Sequence, residues 1–242
     1  MNFTLDIHCH TVNSGHAYST VSENAAHAAS IGLTHIGVAD HAAGMPGGAH
    51  LYYFTNMWIL PEVINGVRVF KGIETNIMNY NGELDMDNRF LAKMDFVIAS
   101  LHRGVITPSD KKDHTNAIIK VMENPHVHII GHPGDCFFEI EVEKIVEAAA
   151  RTNTIIEINE KTMDPDSYRY TKEELFINMI ELCNEYKVPI LASSDAHFAT
   201  LVGDFARAKA AIEKTDIDEN LVLNTCPNKL MNTIAKKKGL IK

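Results

Sequence analysis

Asp6-Ile7-His8-Cys9-His10, met almost at the start of the chain, with His16 six residues further on, decides how the rest is read. Residues 3–8 read as a β-strand, whose side chains alternate between faces. His8 and His10 therefore point the same way, with Asp6 behind them and Cys9 turned to the other side. Two imidazoles side by side at a strand end call for something bound between them. A divalent metal is the simplest candidate, because neutral imidazole is the commonest protein ligand of zinc-type ions. Taken alone, an HxH pair reads equally well as two histidines on a wet strand end. The other strand ends decide between the two.

Outward from this stretch, short β-rich runs alternate with segments of helical period. Further strands read at 34–38, 68–71, 95–100, 127–130, 154–158 and 189–192. Helices read at 22–31, 52–63, 111–123, 142–151, 171–186, 205–213 and 229–238, with Ser22 as the first N-cap and Thr171 with Glu174 as a capping box. Asn81-Gly82 is a hairpin-turn signal, and the Gly-rich run around Gly44, Pro46, Gly47 and Gly48 suits a mobile lid. Strand–helix alternation with short connections implies parallel strands, and seven such units suggest a TIM-like barrel whose site lies at the C-terminal strand ends. A doubly wound open sheet is the alternative; no GxGxxG follows the first strand, which disfavours a dinucleotide-binding version of it. With no repeat, linker or low-complexity stretch, residues 1–242 are expected to form a single α/β domain.

Of 242 residues, 45% are hydrophobic and 22% charged, an ordinary globular composition. A net charge of −9 disfavours nucleic acid and membrane surfaces as partners, since there is no basic field to neutralise phosphates. It leaves a phosphorylated small molecule open, because bound cations reverse the local field. No signal peptide or membrane span is read, and Cys9, Cys136, Cys183 and Cys226 lack any CxxC spacing, so a cytoplasmic location with reduced thiols is expected.

The strand ends carry His8 and His10, His41, Glu74, His102, His132, and then Asp195 with His197, which repeats the i, i+2 spacing of the opening pair. Six of the seven predicted strands thus finish with a metal ligand, and only the strand at 154–158 has none. His27, His35, His50, His114, His126 and His128 fall elsewhere and read as structural or exposed. Together with His16 there are nine candidate ligands, too many for one ion, so two or three metals are expected, with Glu74 able to bridge. Imidazole and carboxylate ligation suits Zn, Mn or Fe. A multinuclear site with open positions is what phosphoester hydrolysis needs.

The runs DIHCHTVNSGH, VADH, GIETN, SLHRG, IIGHPGD and SSDAH resemble the PHP (polymerase and histidinol phosphatase) superfamily, most closely its compact YcdX-like phosphatase branch, over essentially the whole chain. The resemblance implies a distorted seven-stranded parallel (β/α)7 barrel and three divalent ions, zinc first, with manganese or iron as alternatives. By matched motif, His8, His10, Glu74 and Asp195 would hold the first ion, Glu74, His102 and His132 the second, and His16, His41 and His197 the third. It implies a phosphomonoesterase in which a metal-bridging hydroxide attacks a small phosphorylated substrate and phosphate is released. Glu74, Asp195 and Arg103 are the catalytic candidates. Arg103 and Lys161 could hold phosphoryl oxygens, and Asp6 and Asp40 could orient imidazoles. Tyr52, Tyr53, Phe54 and Trp58 read as core-packing aromatics before pocket lining. Histidinol-phosphatase specificity, a phosphodiesterase or exonuclease, and a non-catalytic metal-binding module are the competing readings. A homo-oligomer is compatible with the sequence.

Overall fold

Residues 1–241 are described by the computed structural model. In chain order they form β1 (Leu5–Cys9), α1 (Val21–Ser30), β2 (His35–Val38), α2 (Leu51–Thr55), β3 (Val63–Ile64), β4 (Val67–Asn76), α3 (Asn88–Leu91) and β5 (Phe96–Ser100). Then follow α4 (Lys111–Met122), β6 (Ile129–Ile130), α5 (Val142–Thr152), β7 (Ile155–Asn159), α6 (Glu173–Tyr186), β8 (Ile190–Ser193), α7 (Ala206–Glu213) and α8 (Pro227–Lys237). Seven strands run parallel in the order β1-β2-β4-β5-β6-β7-β8, and β3 adds an antiparallel hairpin to β4. The architecture is the expected distorted (β/α)7 TIM-like barrel.

Two apolar layers hold it together. The outer one lies between sheet and helices. The inner one fills the lower half of the barrel with Leu5, Ile7, Phe70, Phe96, Ile98, Ile129, Ile155 and Leu191, and Leu230 and Ile234 of α8 pack beneath it. Gly37 on β2 leaves the room this needs: a Cβ there would stand 2.5 Å from Ile7 O and 2.7 Å from Phe96 Cζ. Two residues further along the strands the inward positions turn polar: Ile98 gives way to Ser100, Ile155 to Glu157 and Leu191 to Ser193. The barrel is thus dry below and hydrophilic above, as expected of a fold whose chemistry sits at the C-terminal strand ends. On β1 the register shifts between Asp6 and Cys9. That shift lets Leu5 and Ile7 join the lower core while His8 and His10 face the polar layer; Cys9 packs outward.

Between β8 and β1 there is no continuous ladder. At the top, Ala196 bridges Cys9, with His10 N donating to Ala196 O at 2.8 Å. At the bottom the gap is filled by the fully buried amide of Asn224, which accepts from Ala192 N (2.7 Å) and donates to Ala192 O (2.8 Å) and Leu5 O (3.3 Å). A side-chain amide here substitutes for a peptide group of a missing strand. Asp6 secures the middle, accepting from Ser194 Oγ and N and from Gly203 N (2.9 Å). It is therefore a buried carboxylate satisfied across the seam, and burial raises its pKa.

Local expectations were refined in three places. The first helix is capped by Thr20, whose hydroxyl and Glu23 form a reciprocal capping box, in place of Ser22. Helix α6 starts at Glu173 without a side-chain cap, because Thr171 Oγ1 donates to Gly134 O instead. The expected helix over 52–63 stops at Thr55, continues as a 3-10 turn (Met57–Ile59) and becomes β3. Pro61 forces Leu60 into extended backbone (ψ 131°), and Asn65-Gly66, both at positive φ, turn the hairpin.

Candidate metal centre

Glu74, near the end of β4 and fully buried, is the carboxylate around which the polar layer is built. Its Oε1 lies 3.1 Å from His132 Nε2, 3.2 Å from His102 Nε2 and 3.5 Å from His8 Nε2, and its Oε2 lies 2.6 Å from His41 Nδ1 and 3.6 Å from His10 Nε2. Asp195 Oδ1 stands 3.1 Å from His10 Nε2 and 3.7 Å from His8 Nε2, and His197 Nε2 is 3.0 Å from His16 Nε2. All nine candidate ligands therefore converge on one site. The ligand atoms cluster as His8–His10–Glu74, His41–Glu74–His102 and His10–His41–His197. His41 thus touches both the Glu74 group and the outer imidazoles. His132 and Asp195 both have left-handed backbone (φ 30° and 53°), the kind of local strain that concentrates at functional sites.

Among the described residues nine buried side-chain N or O atoms make no hydrogen bond of acceptable direction, and five belong to this cluster: His8 Nε2, His10 Nε2, His41 Nδ1, His102 Nε2 and Glu74 Oε2, the 2.6 Å approach of His41 Nδ1 to Glu74 Oε2 being a close contact without that direction. Unsatisfied polar atoms in a protein interior are costly and rare. Five of them aimed at one another fit divalent cations as the missing partners. The protonation pattern agrees. Burial opposes charge on Glu74, yet His102, His41 and His8 hold its carboxyl well below the usual range. Burial likewise opposes charge on Asp195, but Arg169 and then His8 keep it ionised. Burial, then His197 and His41, pushes His10 well below the ordinary imidazole value and His16 down to about 4. His8 goes the other way: burial resists its charge, but Glu157, Asp195 and Glu74 outweigh that and raise it. Burial lowers His197 as well, and carboxylates held ionised beside imidazoles that resist protonation are groups ready to bind a cation. Cys9 Sγ points to Asp6 O (3.7 Å), so the donor set is nitrogen and oxygen, matching zinc, manganese or iron.

The candidate ligands are held from behind. His8 Nδ1 is 2.6 Å from Glu157 Oε1, whose other oxygen accepts from His132 N at 2.6 Å. From sequence 154–158 reads as an uninterrupted core strand, in which the one sign of Glu157 is a carboxylate inside an apolar run. His10 Nδ1 is 3.0 Å from Ser14 Oγ, and Ser14 Oγ donates to Asp40 Oδ1 (2.6 Å). Asp40 thus orients an imidazole through a hydroxyl, and also accepts from Tyr53 Oη at 2.6 Å. His102 Nδ1 meets Asn76 Oδ1 at 2.7 Å. Phe54 joins the core as expected, whereas Tyr52 and Trp58 are 73% and 74% exposed. The six remaining histidines stand outside the site.

Two cavities open onto the cluster. One, of about 320 Å³, is walled by His16, His102, Asp195 and His197 and by Lys161, Arg169 and Arg207. The second, of about 330 Å³, shares Met45, His102, Tyr168 and Arg169 with the first and adds Arg103 and Phe137. Lys161 is paired with Asp164 at 2.8 Å, and Arg103 lies 4.7 Å over the Phe137 ring. The cation nearest the ligands is one the sequence reading did not single out: buried Arg169, bonded to Asp195 Oδ2, with its Nε unpartnered. The Gly-rich loop is a packed wall rather than a free lid. Gly44 N donates to Asp85 Oδ2 (2.8 Å) and Ala49 N to His41 O (2.8 Å), and a Cβ on Gly15 would stand 2.6 Å from Gly47 O.

The PHP domain family model matches residues 6–165. A protein of Thermoanaerobacter sp. (strain X514) named a probable phosphatase is 44% identical over 242 residues, covering 100% of this chain and 98% of its own length. A probable phosphatase of Acetivibrio thermocellus is 40% identical, covering 100% of this chain and 99% of its own length. Among solved structures, histidinol phosphate phosphatase from Lactococcus lactis, complexed with zinc, L-histidinol and phosphate, superposes with a TM-score of 0.62 at 18% identity, over 89% of this chain and 94% of that one. A chain of an archaeal ribonuclease P with mature tRNA gives 0.54 at 14% identity, over 98% and 90%. At these identities the two structures speak to the fold alone.

Proposed function

This chain belongs to the PHP domain family, and from that premise we propose that it is a metal-dependent phosphomonoesterase acting, as one domain over residues 1–242, on a small phosphorylated substrate. The observation that carries the reading is the set of five buried, unbonded donor and acceptor atoms gathered around Glu74. The relatives named probable phosphatases, which span the whole chain, support the reaction class.

In this reading His8, His10, Glu74 and Asp195 hold a first ion, Glu74, His102 and His132 a second, and His16, His41 and His197 a third, with zinc the first choice. Such ions supply a water of lowered pKa and neutralise charge on the phosphoryl oxygens. The chain's own residues do the rest. Glu74 presents an oxygen to each side of the site, and Glu157 and Ser14 fix the ring orientations of His8 and His10. Arg169, buried and with a spare N–H, donates to a phosphoryl oxygen as negative charge builds there, and Arg103 assists from the second cavity. Asp195, held ionised by Arg169, serves as a ligand. Cavities of about 320 and 330 Å³ suit a small leaving group, and a net charge of −9 disfavours a nucleic-acid strand.

The test is phosphate release from 4-nitrophenyl phosphate by protein reconstituted with zinc or manganese, beside a chelated sample. Turnover that vanishes on chelation and returns with metal is expected. His102→Ala and Glu74→Ala should each lower kcat by about a thousandfold or more while leaving the fold intact by circular dichroism. Near-normal activity in either variant would overturn the mechanism.

A further inference from the structure

Asp85 follows the Asn81-Gly82 turn and takes no part in the candidate metal centre itself, yet four donors converge on its carboxylate. Oδ1 accepts from Thr75 Oγ1 (2.7 Å) and Asn76 N (2.8 Å), and Oδ2 accepts from Gly44 N (2.8 Å) and Asn76 Nδ2 (2.5 Å). A carboxylate of this kind can only accept. It therefore dictates which way the fully buried Asn76 amide faces: the NH2 end is drawn to Asp85 and to Ala42 O (3.3 Å), and the carbonyl end is left pointing at His102 Nδ1, 2.7 Å away. Facing an acceptor, His102 Nδ1 must carry the ring proton, which leaves a lone pair on Nε2, 3.2 Å from Glu74 Oε1 and without a hydrogen bond.

We propose that Asp85 is a positioning residue that sets the tautomer of His102 through Asn76, and through Gly44 ties that setting to the loop carrying Met45, a wall of both cavities. The argument holds for the bare protein; its consequence for metal affinity rests on the function proposed above. In the opposite tautomer Nε2 bears hydrogen and cannot bind a cation. Asp85 thus keeps His102 ready as a ligand, in the way that partners behind metal-binding imidazoles commonly do.

The test uses Asp85→Asn in the full chain. With an amide at 85, one end of the side chain must face donors with donors, Asn76 is free to turn over, and His102 should move towards the Nε2–H tautomer. Ring 15N chemical shifts of His102 in metal-free protein read this directly, and titration with zinc or manganese should show roughly 10- to 100-fold weaker binding. The exchanged pair Asn76→Asp with Asp85→Asn should restore the tautomer and the affinity, since a carboxylate then faces His102 directly. It should not restore slow solvent exchange of the Gly44 amide, which has lost its acceptor. If Asp85→Asn fails to fold, Gly44→Ala asks the same question, its methyl standing 2.7 Å from Asp85 Oδ2; a partial shift to Nε2–H is expected.

An unchanged His102 tautomer in the variant that folds, or an exchanged pair no better than Asp85→Asn, overturns the proposal. Wild-type protein that takes up neither metal would instead overturn the proposed function, and the ring shifts would still judge Asp85.

Discussion

Glu157 shows how much a single carboxylate behind the candidate ligands can do. Burial would raise its pKa, but His8 above all keeps it ionised, and one oxygen holds His8 Nδ1 while the other holds the backbone of His132. Glu157→Gln keeps the shape and removes the charge; metal affinity should fall about 10- to 100-fold, read by titration with zinc. At the other end of the barrel His128 is neutral for a different reason. Its Nδ1 accepts from Val97 N (2.9 Å), and burial, with Lys238 and Lys237 nearby, takes its pKa to about 2. The folded value lies below the unfolded one of 6.5, so the contribution to stability is complete above pH 6.5 and is lost as pH falls below it. Between pH 6.5 and 5 the wild type should lose about 2 kcal/mol more than His128→Gln, measured by urea unfolding. The candidate ligand histidines are legible because they recur at strand ends, where the same spacing appears twice. Glu157 shows only as a carboxylate inside an apolar run, and Arg169 and Asp85 not at all, since each acts through tertiary contacts that no local pattern records.

Among the elements, legibility followed the strength of the local signal. The strands placed from sequence lie within a few residues of those observed, apart from β4, which runs on through Glu74 to Asn76. The segment after His50 resembles a helix because the run 52–60 has enough apolar residues, while the features that end it, Pro61 and Asn65-Gly66, lie beyond. Caps were the weakest reading, since several Ser and Thr residues compete near each start and only packing chooses. At α1 the choice is Thr20, which accepts from Glu23 N while Glu23 Oε2 accepts from Thr20 N at 2.7 Å. Thr20→Ala should therefore destabilise the protein by about 1 kcal/mol, lowering the thermal midpoint by roughly 2–4 °C for a chain of this size. Ser22→Ala should be close to neutral in the same calorimetric comparison.

For the molecule as a whole, parallel alternation announced a barrel, but whether the sheet closes was open from the sequence. Closure depends on Asn224, in a 3-10 turn (Leu223–Thr225) with no strand pattern, and on Asp6 reaching Ser194 and Gly203. Asn224→Ala would leave Ala192 N and O and Leu5 O without their partner in a dry interior, a loss of about 3–5 kcal/mol that denaturant unfolding should report. The seam also joins stretches of the chain that leave the ribosome far apart in time. His8 emerges first, yet Asp195, His197 and Asn224 follow it by as many as 216 residues. At about 5–20 residues per second, that is a delay on the order of 10–40 s. Throughout that interval His8 and His10 have no pocket to occupy. Closure of the seam, and with it the gathering of the nine candidate ligands, is then a late event, and a chain cut between residues 197 and 224 would carry all nine without the amide that closes the barrel.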